Sequence, residues 1–181
     1  VANFFDNDVW IYRNGGGGSF SVIGTHAVSW GPSTLAPGDL DGDLDVDLVV
    51  LDTGIVPLGN MEAVQFHPTS GMIVLTNGMD GCLKIVDVRT GTAIHTMRHQ
   101  GFTTSQSYSK AVLSPDGQYA AAGSTSGNGD IFVWSTLDGS LKTQLTGHHH
   151  AGVCAIDWSR GGSTGQQVAS LDRKGTLILW A

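Results

Sequence analysis

Five aspartates at alternate positions, Asp39, Asp41, Asp43, Asp45 and Asp47, are the residues of this 181-residue chain best suited to chemistry. They sit in GDLDGDLDVDLVVLD, Gly38 to Asp52, where an acidic loop runs directly into an apolar strand. Like charges this dense repel unless a cation lies among them. A hard cation such as Ca2+ takes six to eight oxygens, and alternating Asp side chains on a tight loop supply them. The expected ligands are the carboxylates of Asp39, Asp41, Asp43 and Asp47 and the backbone carbonyl of Asp45, with Gly42 letting the loop bend. An EF-hand requires Gly at its sixth position and Glu at its twelfth. Here those positions are Leu44 and Val50, so that reading fails. A solvated acidic turn without an ion stays open as the alternative.

The other reactive side chains carry less. His148, His149 and His150 are consecutive, and neighbours on one loop cannot all aim at one ion without help. His67, His95 and His99 stand apart, outside any metal-binding spacing. Cys82 and Cys154 lie in or beside apolar runs and read as small core residues rather than a disulfide framework. A nucleophile elbow is absent, and Gly15 to Gly18 lacks the Lys-Ser/Thr that a phosphate loop needs. No enzyme is expected.

The elements that must position these residues are short strands punctuated by glycine. Twenty-six glycines and few charged residues, with no heptads and no long 3.6-residue periodicity, point to an all-β chain. The clearest stretch is Tyr108 to Leu145. Lys110–Leu113, Gln118–Ala122, Ile131–Trp134 and Ser140–Leu145 are four strand runs, with turns at Ser114-Pro-Asp-Gly117 and Leu137-Asp-Gly139. A lone four-stranded sheet cannot cover both its faces, so this is one blade of a β-propeller. Met61–Phe66, Met72–Thr76, Leu83–Val88 and Ala93–Met97 repeat the pattern upstream, and Val153–Trp158, Gln167–Ser170 and Thr176–Trp180 repeat it downstream. Near the start, Val9–Tyr12 and Phe20–Val28 are strand runs, and Trp30-Gly-Pro-Ser33 reads as a turn. Trp10, Trp30, Trp134, Trp158 and Trp180 fall in or beside these runs and read as blade core.

The total is about four blades, a partial or small ring, with 1–54 as one segment and 55–181 as three blades of one continuous propeller. Gly54 to Asn60 is the seam. The first residues look like the tail of a strand, so the chain reads as a fragment whose amino-terminal strand could complete the last blade. Failing that, an open arc exposes apolar edges that invite a homo-oligomer. The net charge of −7 leaves no basic stripe for nucleic acid or acidic lipid. No window approaches the roughly 20 apolar residues of a membrane span.

Two resemblances refine this. VANFFDNDVWIYRNGGGGSF followed by GDLDGDLDVDLVV resembles the FG-GAP or VCBS repeat of integrin-alpha-type propellers, over Val1 to Asp52. That family carries a structural calcium loop between its first two strands and is usually extracellular. The later units resemble WD repeats, with Val86, Trp134 and Trp180 at the family's Trp position. The family's His, Ser/Thr, Asp and Trp tetrad is expected only in pieces: Asp80 in one blade, Asn128 and Lys174 in place of Asp in the next two, and His148 beside Gly147 in the last. DGCLKIVDVRTGTAIHTMRHQGF, LSPDGQYAAAGS and VASLDRKGTLILWA are further similar to the last repeats of the autophagy-related protein sixteen-like family, over about Val56 to Ala181. That resemblance implies a cytoplasmic, non-catalytic scaffold that recruits protein partners. The rival expectations are a calcium-stabilised extracellular adhesion-type propeller and a fusion of two propeller families.

Overall fold

The computed structural model describes residues 1–28, 31–39, 43, 45–52, 61–104, 110–127, 129–161 and 165–181. Trp30, the seam 54–60, Asn128, and Asp41, Gly42 and Leu44 of the acidic loop lie outside them.

The described chain is all β. Strands β1 (Ala2–Asn3), β2 (Asp8–Gly16) and β3 (Ser19–Ala27) form the first sheet, and β4 (Pro32–Gly38) pairs with β5 (Asp47–Asp52). A four-stranded sheet follows from β6 (Met61–His67), β7 (Ser70–Gly78), β8 (Cys82–Asp87) and β9 (Thr92–Arg98). The next comprises β10 (Ala111–Leu113), β11 (Tyr119–Gly123), β12 (Ile131–Ser135) and β13 (Leu141–Leu145). The last comprises β14 (Val153–Trp158), β15 (Val168–Asp172) and β16 (Leu177–Trp180). All pairings are antiparallel between chain neighbours.

Local chemistry sets the turns. Between β10 and β11 the Ser114 hydroxyl donates to Asp116 at 2.6 Å, and Gly117 N–H donates to Ser114 O at 2.8 Å. Gly117 has φ of 73°, which a residue with a Cβ adopts only at a cost. The first-strand turn is narrower than four glycines, because β2 runs through Gly16 and β3 starts at Ser19.

The core lies between sheets. Along β12 the side chains alternate: Phe132 and Trp134 face the 61–98 sheet, packing with Leu75, Leu83, Ile85, Met97 and Phe102. Ile131 and Val133 face the other way, onto Val153, Ile156 and Val168 of the last sheet. Both faces are therefore covered, and β12 reads as an unbroken apolar run. Phe102 meets Trp134 edge-on at 5.0 Å, and Phe132 stacks on Trp134 at 5.7 Å, geometries that favour aromatic pairs. Ala120, Ala121 and Ala122 of β11 carry little bulk, which lets both neighbouring sheets approach. The approach is close at Gly123, where a Cβ would lie 2.4 Å from the Val153 side chain.

The same stacking continues toward the amino terminus. Val74 and Val86, on the remaining face of the 61–98 sheet, pack with Val49 of β5 and with Val64 and Phe66. A Cβ on Gly71 would fall 2.0 Å from the Asp39 carbonyl oxygen, so bare backbone is required at that contact.

Two expectations are corrected. The Trp30–Ser33 turn and the residues after it give way to strand β4, although its Pro32 and Pro37 argue against a strand. Proline lacks a ladder donor but is tolerated at an edge, and among the described residues β4 pairs on one side only, with β5. The amino terminus also does not complete the last blade. Ala2 and Asn3 pair with Val9 and Asp8, and among the described residues β16 pairs only with β15, so the sheets form an arc rather than a closed ring.

Candidate functional site

Three features could carry function: the acidic loop, the polar network of the last blade, and the groove along the inner strands.

Register places Asp47 opposite Gly38, so the acidic loop leaves and re-enters the structure at one neck. Asp39 and Asp47 flank that neck and are half-buried, whereas Asp43 and Asp45 are exposed. Asp43 Oδ1 accepts the Asp45 N–H at 2.8 Å, a local bond that curls the loop. Asp41 lies outside the described residues, and among the described residues no three Asp, Glu, His or Cys side chains gather closely enough to hold an ion. The donor set is all oxygen, which fits a hard cation.

The last blade holds a polar cluster whose members differ from those expected, hydrogen-bonded from Trp180 through Ser170 to His149, with Asp172 near His149 Nδ1 but not hydrogen-bonded to it. Trp180 Nε1–H donates to Ser170 Oγ at 2.8 Å, and Ser170 Oγ lies 2.7 Å from His149 Nε2. His149 Nδ1 lies 3.4 Å from Asp172 Oδ2. With a carboxylate at Nδ1, the ring proton belongs on that nitrogen, and the Ser170 hydroxyl then donates to Nε2. The tetrad is thus His149, Ser170, Asp172 and Trp180. His148, expected in this role, is exposed and meets the Trp180 ring edge-on at 5.1 Å. Lys174, expected in place of the acid, instead gives its backbone N–H to Asp172 Oδ1 at 2.9 Å. Thr176 N–H does the same at 2.9 Å, and His150 N–H donates to Oδ2 at 3.2 Å. The signal in the sequence is Asp172-Arg-Lys-Gly-Thr176, an acid placed to receive the amides of the turn that follows it.

Asp172 is enclosed, and burial alone would raise its pKa. The amides of Thr176, His150 and Lys174 outweigh that effect and hold the carboxyl well below the usual carboxylate range. The three histidines diverge: His149 is buried in the tetrad, while His148 and His150 are exposed.

The other two WD-like blades lack this network. Val168 pairs with Trp180 and Ser170 with Ile178, whereas Ala120 pairs with Trp134 and Ala122 with Phe132. Ala122 therefore stands where the serine would be, and Trp134 Nε1 is buried without a hydrogen-bond partner. In the 61–98 sheet, Val74 pairs with Val86 and Thr76 with Lys84, so the hydroxyl position is kept and the indole is lost. Asp80, expected as that blade's tetrad acid, serves its own turn: it accepts Lys84 Nζ at 2.8 Å and Cys82 Sγ at 2.9 Å. Burial and then the Asp80 carboxylate push the Cys82 thiol up to about 11, so it is not a reactive thiolate.

A groove of about 690 Å³ runs beside the inner strands. Ala63, Lys110 and Ala111 line one side and Asp157, Leu171 and Leu177 the other, so it is apolar with one charge of each sign.

The FG-GAP-like repeat family matches residues 1–50, and the WD domain, G-beta repeat family matches residues 139–181, the segment that contains the tetrad. The chain is thus similar to an FG-GAP-like repeat at its amino-terminal end and to a WD repeat at its carboxy-terminal end. Protein Atg16l2 of Mus musculus is 37% identical over 107 residues, 59% of this chain and 16% of that protein. Protein tipD of Dictyostelium discoideum is 33% identical over 124 residues, 67% of this chain and 19% of that protein. Autophagy-related protein 16 of Arabidopsis thaliana is 30% identical over 152 residues, 81% of this chain and 28% of that protein. The chain thus spans less than a third of the length of these relatives. Among solved structures, the carboxy-terminal WD40 domain of Sif2 superposes with a TM-score of 0.54 at 22% identity, over 67% of this chain and 34% of that one. The computationally designed Ika4 protein gives 0.52 at 23% identity, over 67% and 66%. These likenesses show the fold.

The tetrad makes two opposite substitutions informative. Ser170→Ala leaves both Trp180 Nε1 and His149 without their partner and should destabilise by about 1–3 kcal/mol. Ala122→Ser offers Trp134 Nε1 an acceptor and should stabilise by about 0.5–1.5 kcal/mol. Urea midpoints read both. Asp172 adds a pH dependence. Its folded pKa is below its unfolded value, so its contribution is full above about pH 4 and is lost as pH falls through the folded value. Asp172→Asn should therefore lower stability at neutral pH and flatten its decline on acidification, as followed by denaturant titrations at stepped pH.

Proposed function

We propose that this chain is a non-catalytic, cytoplasmic protein-binding propeller that recruits partners for autophagy, in the manner suggested by its resemblance to the autophagy-related 16 proteins. The observation that carries this reading is similarity over 59% and 81% of the chain to protein Atg16l2 and autophagy-related protein 16, at 37% and 30% identity. The fold agrees with it: the 111–145 sheet spends both its apolar faces on its neighbours, which leaves its loops and inner edge for recognition. The inner groove, apolar with Lys110 and Asp157 at its walls, suits a partner that combines apolar side chains with paired charges. Among the described residues no helix is long and apolar enough to cross a membrane.

A second feature, the match of an FG-GAP-like repeat to residues 1–50, favours calcium at the acidic loop. Asp39, Asp41, Asp43 and Asp47 would hold the ion through carboxylates and Asp45 through its carbonyl. Bound calcium would neutralise the repulsion among them and tie the neck of β4 and β5. Its role is structural and is compatible with the recruitment reading.

Grafting tests the first reading. Residues 61–181 replacing the corresponding blades of the Arabidopsis autophagy-related protein 16 should retain autophagic flux in plants lacking that protein, and a folded graft without flux overturns it. For calcium, saturation at about a hundred times Kd should stabilise by about 2.7 kcal/mol. Melting in calcium and then chelator should show that shift, and Asp43→Ala should abolish it; equal melting in both conditions returns the loop to a solvated turn.

A further inference from the structure

We propose that the crevice between the 61–98 and 111–145 sheets, beside the two Asp-Gly turns of the latter, is a docking site for an arginine-bearing segment of a partner protein. It is separate from the inner groove and does not rest on the recruitment reading.

Two contacts across the seam frame it. His67, at the end of β6, holds Gly117 of the β10–β11 turn: its Nε2–H donates to Gly117 O at 3.0 Å, and a Cβ on Gly117 would lie 2.3 Å from the ring. His95 of β9 lies against Gly139 of the β12–β13 turn, where a Cβ would fall 3.3 Å from the His95 Cβ. Strands β6 and β9 are the two edges of their sheet, so these contacts stand at opposite sides of the seam. Ile73 of β7 and Ile85 of β8 lie between them and line a space of about 520 Å³. Both sheets have four strands, and every residue lining the crevice falls between His67 and Lys142.

The lining is apolar within and charged at the turns. Tyr119 and Leu137 face Ile73 and Ile85 across the space, and Leu137 is 86% exposed. The charges are Asp116, Asp138 and Lys142. Asp116 accepts the Ser114 hydroxyl at 2.6 Å and the Gln118 N–H at 3.0 Å. Asp138 accepts the Ser140 hydroxyl at 2.6 Å and its N–H at 3.0 Å. The Ser114 hydroxyl at Asp116 and the Ser140 hydroxyl at Asp138 hold both carboxyls below the usual carboxylate range, so both are ionised at neutral pH. All four bonds end on Oδ1, which leaves the second oxygens to receive a further donor. Lys142 meets Asp138 Oδ2 at 3.5 Å with both side chains about half exposed, a surface pair that contributes little. His67 does not compete, because its Nε2 serves Gly117 and its Nδ1 accepts the Thr69 N–H at 3.4 Å.

Charge and shape together select the occupant. Two carboxylates on separate turns outnumber one ammonium, so the site favours a cation, and its apolar walls favour one carried on an aliphatic stem. Arginine supplies both, with a planar guanidinium whose several donors can bridge two acceptors. Apolar neighbours of that arginine in the segment would meet Tyr119 and Leu137. The net charge of −7 draws basic partners toward the chain.

NMR titration of the 181-residue chain with acetyl-Leu-Arg-Leu-amide tests this, beside the same peptide carrying citrulline in place of arginine. The arginine peptide should saturably shift the amide signals of Tyr119, Gly117 and Gly139. Citrulline has the same shape without the charge and should bind at least about tenfold more weakly. Asp116→Asn with Asp138→Asn should weaken the arginine peptide by about the same factor, since each asparagine keeps Oδ1 for its turn and loses only the charge. Lys142→Gln removes the competing ammonium and should tighten binding, an effect that loss of structure would not produce. If the asparagine pair disturbs signals beyond the turns, the citrulline comparison and Lys142→Gln decide. The proposal is overturned by no shift at these turns, by equal binding of the two peptides, or by binding that Lys142→Gln leaves unchanged or weakens. Binding that a well-folded asparagine pair leaves unchanged also overturns it, and so does spermidine binding as tightly as the peptide, because the apolar walls then add nothing.

Discussion

The structure depends on sheets packing face to face. Among the described residues no sheet has a helix to cover it, and two to four short strands bury little on their own. Stability has to come from the seams, where Phe132 and Trp134 on one side meet Leu75, Leu83 and Met97 on the other. A fully buried large apolar side chain contributes roughly 1.5–3 kcal/mol, and several fall on that one seam. The alanines of β11 and the bare backbone at Gly123 and Gly71 follow from the same constraint, because each holds two sheets closer than a larger residue would allow.

Polar chemistry refines the stacking without creating it. Only one described blade carries the cluster of Trp180, Ser170, His149 and Asp172, in which Ser170 holds the indole on β16 and Asp172 holds the turn after β15. The 111–145 blade does without it. Trp134 keeps its apolar contacts and gives up its hydrogen bond, so packing holds this blade and the tetrad elsewhere adds to what packing already secures. The 61–98 blade goes further, with valine in place of the indole against Val49. The blades are thus unequal in their internal polar bonding, while their seams are built alike.

Much of this is legible in the sequence because turn chemistry and alternation are local. Ser114-Pro-Asp-Gly117 and Leu137-Asp-Gly139 mark their turns through residue type alone, and the runs ending at Trp134 and Trp180 mark their strands. The acidic loop and the all-β class are legible for the same reason. Strand β4 is not, because its prolines argue against pairing and only its place at an edge resolves the conflict. The tetrad differs from the expected set by two residues at Asp172 and one at His149, since counting along a chain does not show that Asp172 accepts the amides of the turn after it or which of three consecutive histidines turns inward. The arc and its uncovered ends are long-range outcomes that no local pattern encodes.

Native-state hydrogen exchange on Trp134→Ala probes the dependence on inter-sheet packing. If the seam holds both sheets, amide protection should fall together in β7 and β8 of one sheet and in β11 and β12 of the other. Loss confined to the 111–145 sheet, with β7 and β8 as protected as before, would show that each sheet stands without its neighbour.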